Sequence, residues 1–427
     1  MVFSVFIDTE LRQTATTRRK VLQKQAFAME INEATQAFVH AHQNDDVRKL
    51  ALHGCKDPQV NLPFALQQIK GRQKAKEKLP EHYAHDRILY PATLSLEQCS
   101  SAATARYKAS LAEGNSLADL SGGFGVDTFA FSRHFSQCIY IEPNSELCDI
   151  TQHNAQIFGL NNIKVLQGTL EEQIANIGMV DWLYVDPSRR DLHGHRVVTL
   201  EECAPNLTEC LDELRTHTRK GILIKLSPLI DIKHTLKQLP GTHAIHSVAV
   251  NGECKEVLFL LDANNTPSKD TTCIAANILR DETQSFTFTM EEEASAQPQL
   301  AGAPLLYLYE PNAAILKAGA FKCIATRFNL QKLHPHSHLY CNNTLLSDFP
   351  GRVFRIEETI PFGKNARKSV AEHINKANVS VRNFPITAEE LKKSLKLKDG
   401  GNTYIFGATL SDGDKALLLC RKCIGNN

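Results

Sequence analysis

Between Leu117 and Leu261 short apolar runs alternate with amphipathic stretches, and few folds accept that pattern. The runs are Leu117 to Leu120, Cys138 to Ile141, Ile163 to Leu166, Trp182 to Val185, Gly221 to Leu226, His246 to Val250 and Val257 to Leu261. Runs apolar on both faces and separated by helices need a largely parallel sheet covered on both sides. The last two runs meet around Asn251-Gly252, a hairpin signal, so the final strand is expected to be antiparallel to its neighbours. The expected fold is α/β: a seven-stranded Rossmann-like sheet with an N-terminal helical domain and small α+β C-terminal domains.

Residues 1–90 carry apolar positions at helical spacing, such as Phe27, Ile31, Ala34 and Phe38, with a break from Pro58 to Pro63. The basic run Lys70, Arg72, Lys74, Lys76 and Lys78 reads as a solvated helix face. Beyond the sheet, Asn264 to Asp270 reads as a linker, Ser285 to Thr289 and Leu305 to Tyr309 as strands, and Asn312 to Gly319 as a helix. From Arg352 we expect a strand, helices over Ser369 to Ala377 and Thr387 to Leu395, and a final hairpin through Ser411-Asp412-Gly413-Asp414.

At 427 residues, 42% hydrophobic and 22% charged, the chain is long enough for several ordinary cores. It shows no export signal and no apolar run approaching ~20 residues, so a cytoplasmic protein without membrane partners is expected. Twelve cysteines scattered from Cys55 to Cys423 read as reduced thiols. Cys420 and Cys423 point to opposite faces of a continued strand, and His334, His336 and His338 are interrupted by Pro335, so no metal is expected. A net charge of +1 does not by itself announce a polyanion partner. Locally the balance differs: from Arg352 onward fourteen Lys and Arg face eight Asp and Glu, which permits phosphate contact.

The first strand runs into Asp119-Leu120-Ser121-Gly122-Gly123-Phe124-Gly125-Val126-Asp127 and then a helix. Glycines there let backbone turn sharply and approach a ligand. The spacing is not the G-x-G-x-x-G that seats a pyrophosphate on a helix N-terminus. An acid three positions before a G-G-x-G core instead suits S-adenosylmethionine, whose amino group wants a carboxylate nearby. Glu142 ends the second strand, where it can accept both ribose hydroxyls. The third strand ends at Gln167-Gly168-Thr169-Leu170, placing Thr169 and Leu170 beside the adenine. Asp119, Gly122, Gly123, Gly125, Glu142, Thr169, Leu170 and Asp186 are therefore the expected cofactor contacts.

The fourth strand is expected to deliver Asp186-Pro187-Ser188-Arg189-Arg190 to the same carboxyl edge, facing the sulfonium. Methyl transfer is an in-line displacement in which the protein holds and aligns the nucleophile. The Asp186 carboxylate and the Pro187 carbonyl can accept both hydrogens of an exocyclic amine and turn its lone pair outward. The segment is similar to the D/N-P-P-aromatic motif of amine methyltransferases, with Ser188 for the second proline and Arg189 for the aromatic residue. An arginine plane can stack on a base or hold a phosphate, so Arg189 and Arg190 are candidate RNA contacts.

Taken with Leu96 to Ser101, Thr104 to Lys108, Tyr309-Glu310-Pro311-Asn312, Ile315 to Gly319 and Val381-Arg382-Asn383-Phe384-Pro385, these motifs resemble a family. It is that of bacterial class I S-adenosylmethionine-dependent methyltransferases with a THUMP-like C-terminal domain, distantly similar to RNA cap guanine-N2 methyltransferases. The resemblance covers nearly the whole chain. It implies a helical domain over 1–90, the methyltransferase domain over 91–265, a small ferredoxin-like domain over 266–345 and a THUMP-like domain over 346–427. It implies S-adenosyl-L-methionine as cofactor, RNA as partner, Asp186, Pro187, Ser188 and Arg189 at the acceptor, and Glu97 to Ser101 closing the pocket. Arg382 and Asn383 are the candidate RNA contacts of the C-terminal domain. The expected activity is methyl transfer to a base nitrogen of RNA. The alternatives are a protein or small-molecule methyltransferase and an inactive cofactor-binding RNA module. The oligomeric state is left open.

Overall fold

A computed structural model describes residues 32–187, 200–201, 203–266, 270–280, 282–363, 366, 370 and 374–423. The chain divides into two compact units, Met1–Val180 and Asp181–Asn427. No helix of the described residues is long and apolar enough to cross a membrane.

The first unit opens with helices α1 (Glu33–Ala41), α2 (Val47–His53), α3 (Leu62–Lys78), α4 (Pro80–Ala84), α5 (Thr93–Gln98) and α6 (Ala102–Ala109). Asn61 caps α3, accepting from Phe64 N–H, and a proline in the first turn costs no hydrogen bond. The basic run on α3 is not simply solvated. Arg72 is buried and donates to Asp86 Oδ1 at 2.8 Å and to the carbonyls of Tyr83 and His85. Lys78 reaches the carbonyls of Leu96 and Glu97, and Lys74 pairs with Glu97. The aliphatic stems let lysines and arginines brace neighbouring helices while their heads find acceptors, which charge patterning alone does not reveal.

Next come β1 (Ser116–Asp119), α7 (Val126–Phe131), β2 (Gln137–Glu142), α8 (Ser145–Ile157), β3 (Ile163–Gln167) and α9 (Leu170–Ile177). The strands pair in parallel in the order β3-β2-β1, with Asp119 opposite Tyr140 and Glu142 opposite Gln167. Parallel pairing puts all three carboxyl ends on one edge. Leu79, Ile88, Tyr90, Leu96, Ala105, Phe124, Val126 and Ile150 share one buried cluster, so the helices pack directly on the glycine loop.

The second unit begins within β4 (Val180–Val185), whose residues are all buried. It continues with α10 (Leu207–Arg215), β5 (Thr218–Leu226), α11 (Ile232–Gln238), β6 (Thr242–Val250), β7 (Glu253–Asp262), β8 (Thr272–Ile278) and β9 (Thr283–Thr289). The strand order is β4-β5-β7-β6-β8-β9. β7 is antiparallel to both β5 and β6, and Asn251 and Gly252 turn the hairpin with φ of 50° and 79°.

Nine strands rather than the expected seven therefore make up the α/β part, three in the first unit and six in the second. β8 pairs in parallel with β6, and β9, expected beyond the sheet, pairs with β8. β8 carries the apolar run Cys273 to Ala276, a strand signal that the seven expected runs leave out.

After α12 (Met290–Ser295) a second sheet forms from β10 (Tyr307–Pro311), β11 (Gln331–Lys332), β12 (Tyr340–Asn342), β13 (Gly351–Pro361), β14 (Asn378–Arg382), β15 (Thr403–Thr409) and β16 (Lys415–Lys422). Helices α13 (Ala313–Ala318), α14 (Cys323–Arg327) and α15 (Ala388–Ser394) accompany it. Its order is β11-β12-β10-β13-β16-β15-β14, and β14 is parallel to β15 while the other described pairs are antiparallel. Leu308, Phe354, Phe406, Leu418 and Cys420 fill one face, while Ile405, Leu417 and Leu419 pack with Leu391 and Leu395 of and just after α15 on the other. Of the nine positions of the expected Ser369 to Ala377 helix, four lie outside the described residues, Val370 is helical, and 374–377 are not, so the helix does not reach Ala377. Phe27 and Ile31 also lie outside the described residues.

Candidate functional site

In the first unit the loop from Asp119 to Gly125 is held by its own residues. Asp119, 1% exposed, accepts through Oδ1 from Ser121 N–H (3.0 Å) and Ser121 Oγ–H (3.3 Å), and through Oδ2 from Thr128 Oγ1 at 2.5 Å. The described bonds make it a brace between the end of β1 and α7. Gly122 lies against Tyr140: a Cβ there would sit 2.2 Å from the ring, so any side chain would have to displace it. Burial raises the Tyr140 phenol well above its ordinary pKa, and as a neutral hydroxyl it donates to the Gly123 carbonyl at 2.7 Å. Gly125 caps α7 in the left-handed region, with φ of 79°.

Glu142, the expected ribose ligand, closes the loop from the end of β2. Its Oε2 accepts from Gly123 N–H and its Oε1 from Asn144 N–H, both at 2.9 Å. A carboxylate offers about four acceptor positions, so each oxygen keeps capacity for a hydroxyl. Gly123 has φ of 54°, and a Cβ there would meet only the Ser121 carbonyl at 3.8 Å. That face of the loop is open, which leaves room for a ligand beside Glu142. Thr169 caps α9 in a capping box with Glu172, so its side chain serves the helix, and Leu170 is buried.

The stretch from Leu96 to Ser101 is tied to the same helix start. Ser100 Oγ donates to Asp127 Oδ2 at 2.7 Å, and the fully buried Lys108 donates to Ser100 Oγ at 3.0 Å and lies 3.2 Å from Asp127 Oδ1. Glu97 instead pairs with Lys74 on α3.

In the second unit Asp186 and Pro187 follow β4 directly. Asp186 forms an ion pair through Oδ2 with Lys225 Nζ, near the end of β5. Sequence reasoning missed Lys225, although one lysine inside Ile222-Leu223-Ile224-Lys225-Leu226 is the available signal: a charge in a buried strand requires a partner. Glu256 on β7, 2% exposed, shares the Lys225 face, because Lys225 stands opposite Leu258 and residues two apart on a strand point the same way. Ser188, Arg189 and Arg190 lie outside the described residues. Arg382 and Asn383 close β14, in the second sheet.

Strand runs in the order 3-2-1 and 4-5-7-6 with β7 reversed, and a glycine loop followed at the next strand end by an acid, define a class I methyltransferase. The comparisons agree. The RNA cap guanine-N2 methyltransferase family matches residues 114–188, a ferredoxin-like domain family matches 307–350 and a THUMP domain-like family matches 351–422. The crystal structure of a candidate methyltransferase from Porphyromonas gingivalis W83 is similar at 36% identity and a TM-score of 0.83, covering 91% of this chain and 98% of that one.

The chain belongs to this family of methyltransferases, which joins an RNA cap guanine-N2 methyltransferase domain to ferredoxin-like and THUMP-like domains. Two further structures align with smaller parts. An rRNA methylase from Streptococcus thermophilus has 11% identity, a TM-score of 0.28 and coverage of 37% of this chain and 93% of that one. A methyltransferase from Geobacter sulfurreducens has 16% identity, a TM-score of 0.29 and coverage of 38% and 79%. No curated protein matches.

Proposed function

We propose that the protein transfers a methyl group from S-adenosyl-L-methionine to a base nitrogen of RNA, in the cytoplasm. The observation that carries the cofactor reading is the Glu142 carboxylate bonded to Gly123 N–H over an open loop face. Gly122, Gly123 and Gly125 shape the cradle, Asp119 stiffens it, and Thr169 and Leu170 stand after the neighbouring strand. When bound, the cofactor supplies an electrophilic methyl group on a sulfonium. The protein's own work is to orient the acceptor and exclude water.

That work falls to Asp186 and Pro187, with Ser188, Arg189 and Arg190 of the same segment as RNA contacts and Arg382 and Asn383 as a second set. The THUMP-like match over 351–422 supports RNA as the partner. Incubating the protein with labelled cofactor and RNA from cells lacking the gene, then identifying the modified nucleoside, tests the assignment. Label in protein alone, or none in any RNA fraction, refutes it.

A second reading follows from Lys225. Its ammonium occupies one oxygen of the carboxylate that would receive amine hydrogens, and a carboxylate beside an ammonium also suits a hydroxyl acceptor. The same digest separates the two, since a ribose-methylated nucleoside would replace the base-methylated one.

A further inference from the structure

Two segments 72 residues apart in sequence, Tyr309-Glu310-Pro311-Asn312 and Val381-Arg382-Asn383, meet in the second sheet. Glu310 on β10 stands directly opposite Arg352 on β13, and Leu308 opposite Phe354, so Glu310 and Arg352 share the face that Leu308 and Phe354 bury. Arg382 stands opposite Ala408, which belongs to the same cluster. β14 is four positions from β10 in the sheet order, about 19 Å in a flat sheet at ~4.8 Å per strand. Yet Arg382 Nη2 donates to Glu310 Oε1 at 2.6 Å. The sheet is therefore rolled, and these three side chains sit together at one end of its concave face.

Glu310 is buried, with its side chain 4% exposed, whereas Arg352 and Arg382 are 46% and 36% exposed. Arg352 gives Nε and Nη2 to Glu310 Oε2, and Arg382 spends Nη1 on the Val381 carbonyl. Each guanidinium has five N–H groups, so more than half of the ten remain for another acceptor. Two cations on one carboxylate leave a net positive charge. Beside them the His334 Nδ1 accepts from His336 N–H and from the Asn383 amide, both at 3.0 Å, which puts the ring proton on Nε2 as a further donor. Burial first, then Lys332 and Arg382, push the nearby His338 down to about 4, consistent with a positive local potential.

We propose that Arg352 and Arg382, braced on the buried Glu310 and flanked by His334 and Asn383, form a phosphate clamp for the backbone of single-stranded RNA. The fork geometry of arginine matches phosphate oxygens, and a buried carboxylate holding both forks in place lowers the ordering cost of binding. The clamp rests on the RNA reading above and adds Arg352, Glu310 and His334 to it.

The test is the affinity of the full chain for a labelled twelve-nucleotide oligouridylate across a salt series, without cofactor. Arg352→Gln with Arg382→Gln is expected to weaken binding at least tenfold near 0.1 M salt. It should also reduce the log–log salt slope by about 1.4, at ~0.7 per phosphate contact. Arg352→Lys with Arg382→Lys keeps the charge and loses the forks, so affinity falls about threefold or more while the slope stays nearly constant. Arg355→Gln with Arg421→Gln removes the same charge from a directly paired position on the opposite face and is expected to cost less than threefold.

Circular dichroism melting and S-adenosylhomocysteine binding check that each chain is folded. Should the double glutamine chain melt early, Arg352→Gln alone carries the test, with a slope change of about 0.7. Wild-type affinity and slope in the glutamine chain, an equal loss in the Arg355/Arg421 control, or no binding by the wild type would overturn the proposal. Because binding is read without methyl transfer, an RNA-binding chain that methylates no RNA sinks the catalytic reading alone. A glutamine chain that methylates RNA with unchanged KM sinks the clamp alone.

Discussion

Replacing Glu142 by alanine separates the loop bracing that its carboxylate performs from the ribose contact proposed for it. Its described bonds go to the N–H groups of Gly123 and Asn144, at 2.9 Å each, from a half-buried position. A hydrogen bond to a charged group is worth about 1.5–3 kcal/mol and an ordinary one about 0.5–1.5 kcal/mol, the range that fits a partly screened carboxylate. Two partly screened bonds therefore hold the loop by about 1–3 kcal/mol, or ~2–12 °C in melting temperature for a domain of this size. Loss of the proposed ribose contact is expected to weaken S-adenosylhomocysteine binding by a separate ~1.5–3 kcal/mol, roughly tenfold to a hundredfold in Kd. Calorimetric titration reads the second effect and thermal melting the first. Glu142→Gln keeps one acceptor oxygen and should fall between wild type and alanine in both. A chain that melts early yet binds S-adenosylhomocysteine with wild-type affinity would show that Glu142 is a loop brace only.

Asp186→Ala should abolish methyl transfer while S-adenosylhomocysteine affinity stays within a few-fold, since an acceptor-orienting group acts on the transition state. Equal loss of both would recast it as a cofactor ligand. Asp186→Ala and Lys225→Met should each destabilise by leaving a partly buried charge without its partner, and the double variant should recover about 1–3 kcal/mol in urea unfolding; strict additivity would refute that pairing. Gly122→Ala should cost about 1–3 kcal/mol by overpacking against Tyr140, whereas the Cβ of Gly123→Ala meets open space but its φ of 54° adds left-handed strain of about 1–2 kcal/mol. The loss of cofactor affinity in Gly123→Ala should therefore exceed that of Gly122→Ala at similar stability. A greater loss of cofactor affinity in Gly122→Ala than in Gly123→Ala would mean the loop opens on its Gly122 side. His82, 5% exposed with Nε2 lacking a partner among the described residues, is pushed down to about 4 by burial. Its folded pKa lies below the unfolded ~6.5, so its contribution is intact above pH 6.5 and is lost as pH falls toward 4. Between pH 7 and 5 the wild type should lose about 2 kcal/mol relative to His82→Phe, and parallel pH profiles would contradict this.

The seven expected strands, the reversed β7, the glycine loop and the place of Glu142 at the end of β2 were legible in the sequence because each rests on local chemistry. Apolar runs of four to six residues, an Asn-Gly turn and glycines at positive φ are decided within a few positions of the chain. Even the caps Asn312 of α13 and Thr387 of α15 follow that rule. What escaped depends on partners distant in sequence. The place of β8 between β6 and β9 is set by pairing with strands distant in sequence, which its own apolar run does not specify. Arg72 looked solvated until Asp86 and two carbonyls were folded over it. Lys225 had no visible purpose until β5 brought it to Asp186, and Glu310 none until a rolled sheet set Arg352 and Arg382 on its two oxygens. Apolar burial is nondirectional and leaves its trace in periodicity, whereas a buried charge is tolerated only where a particular partner arrives, and only the tertiary structure names that partner.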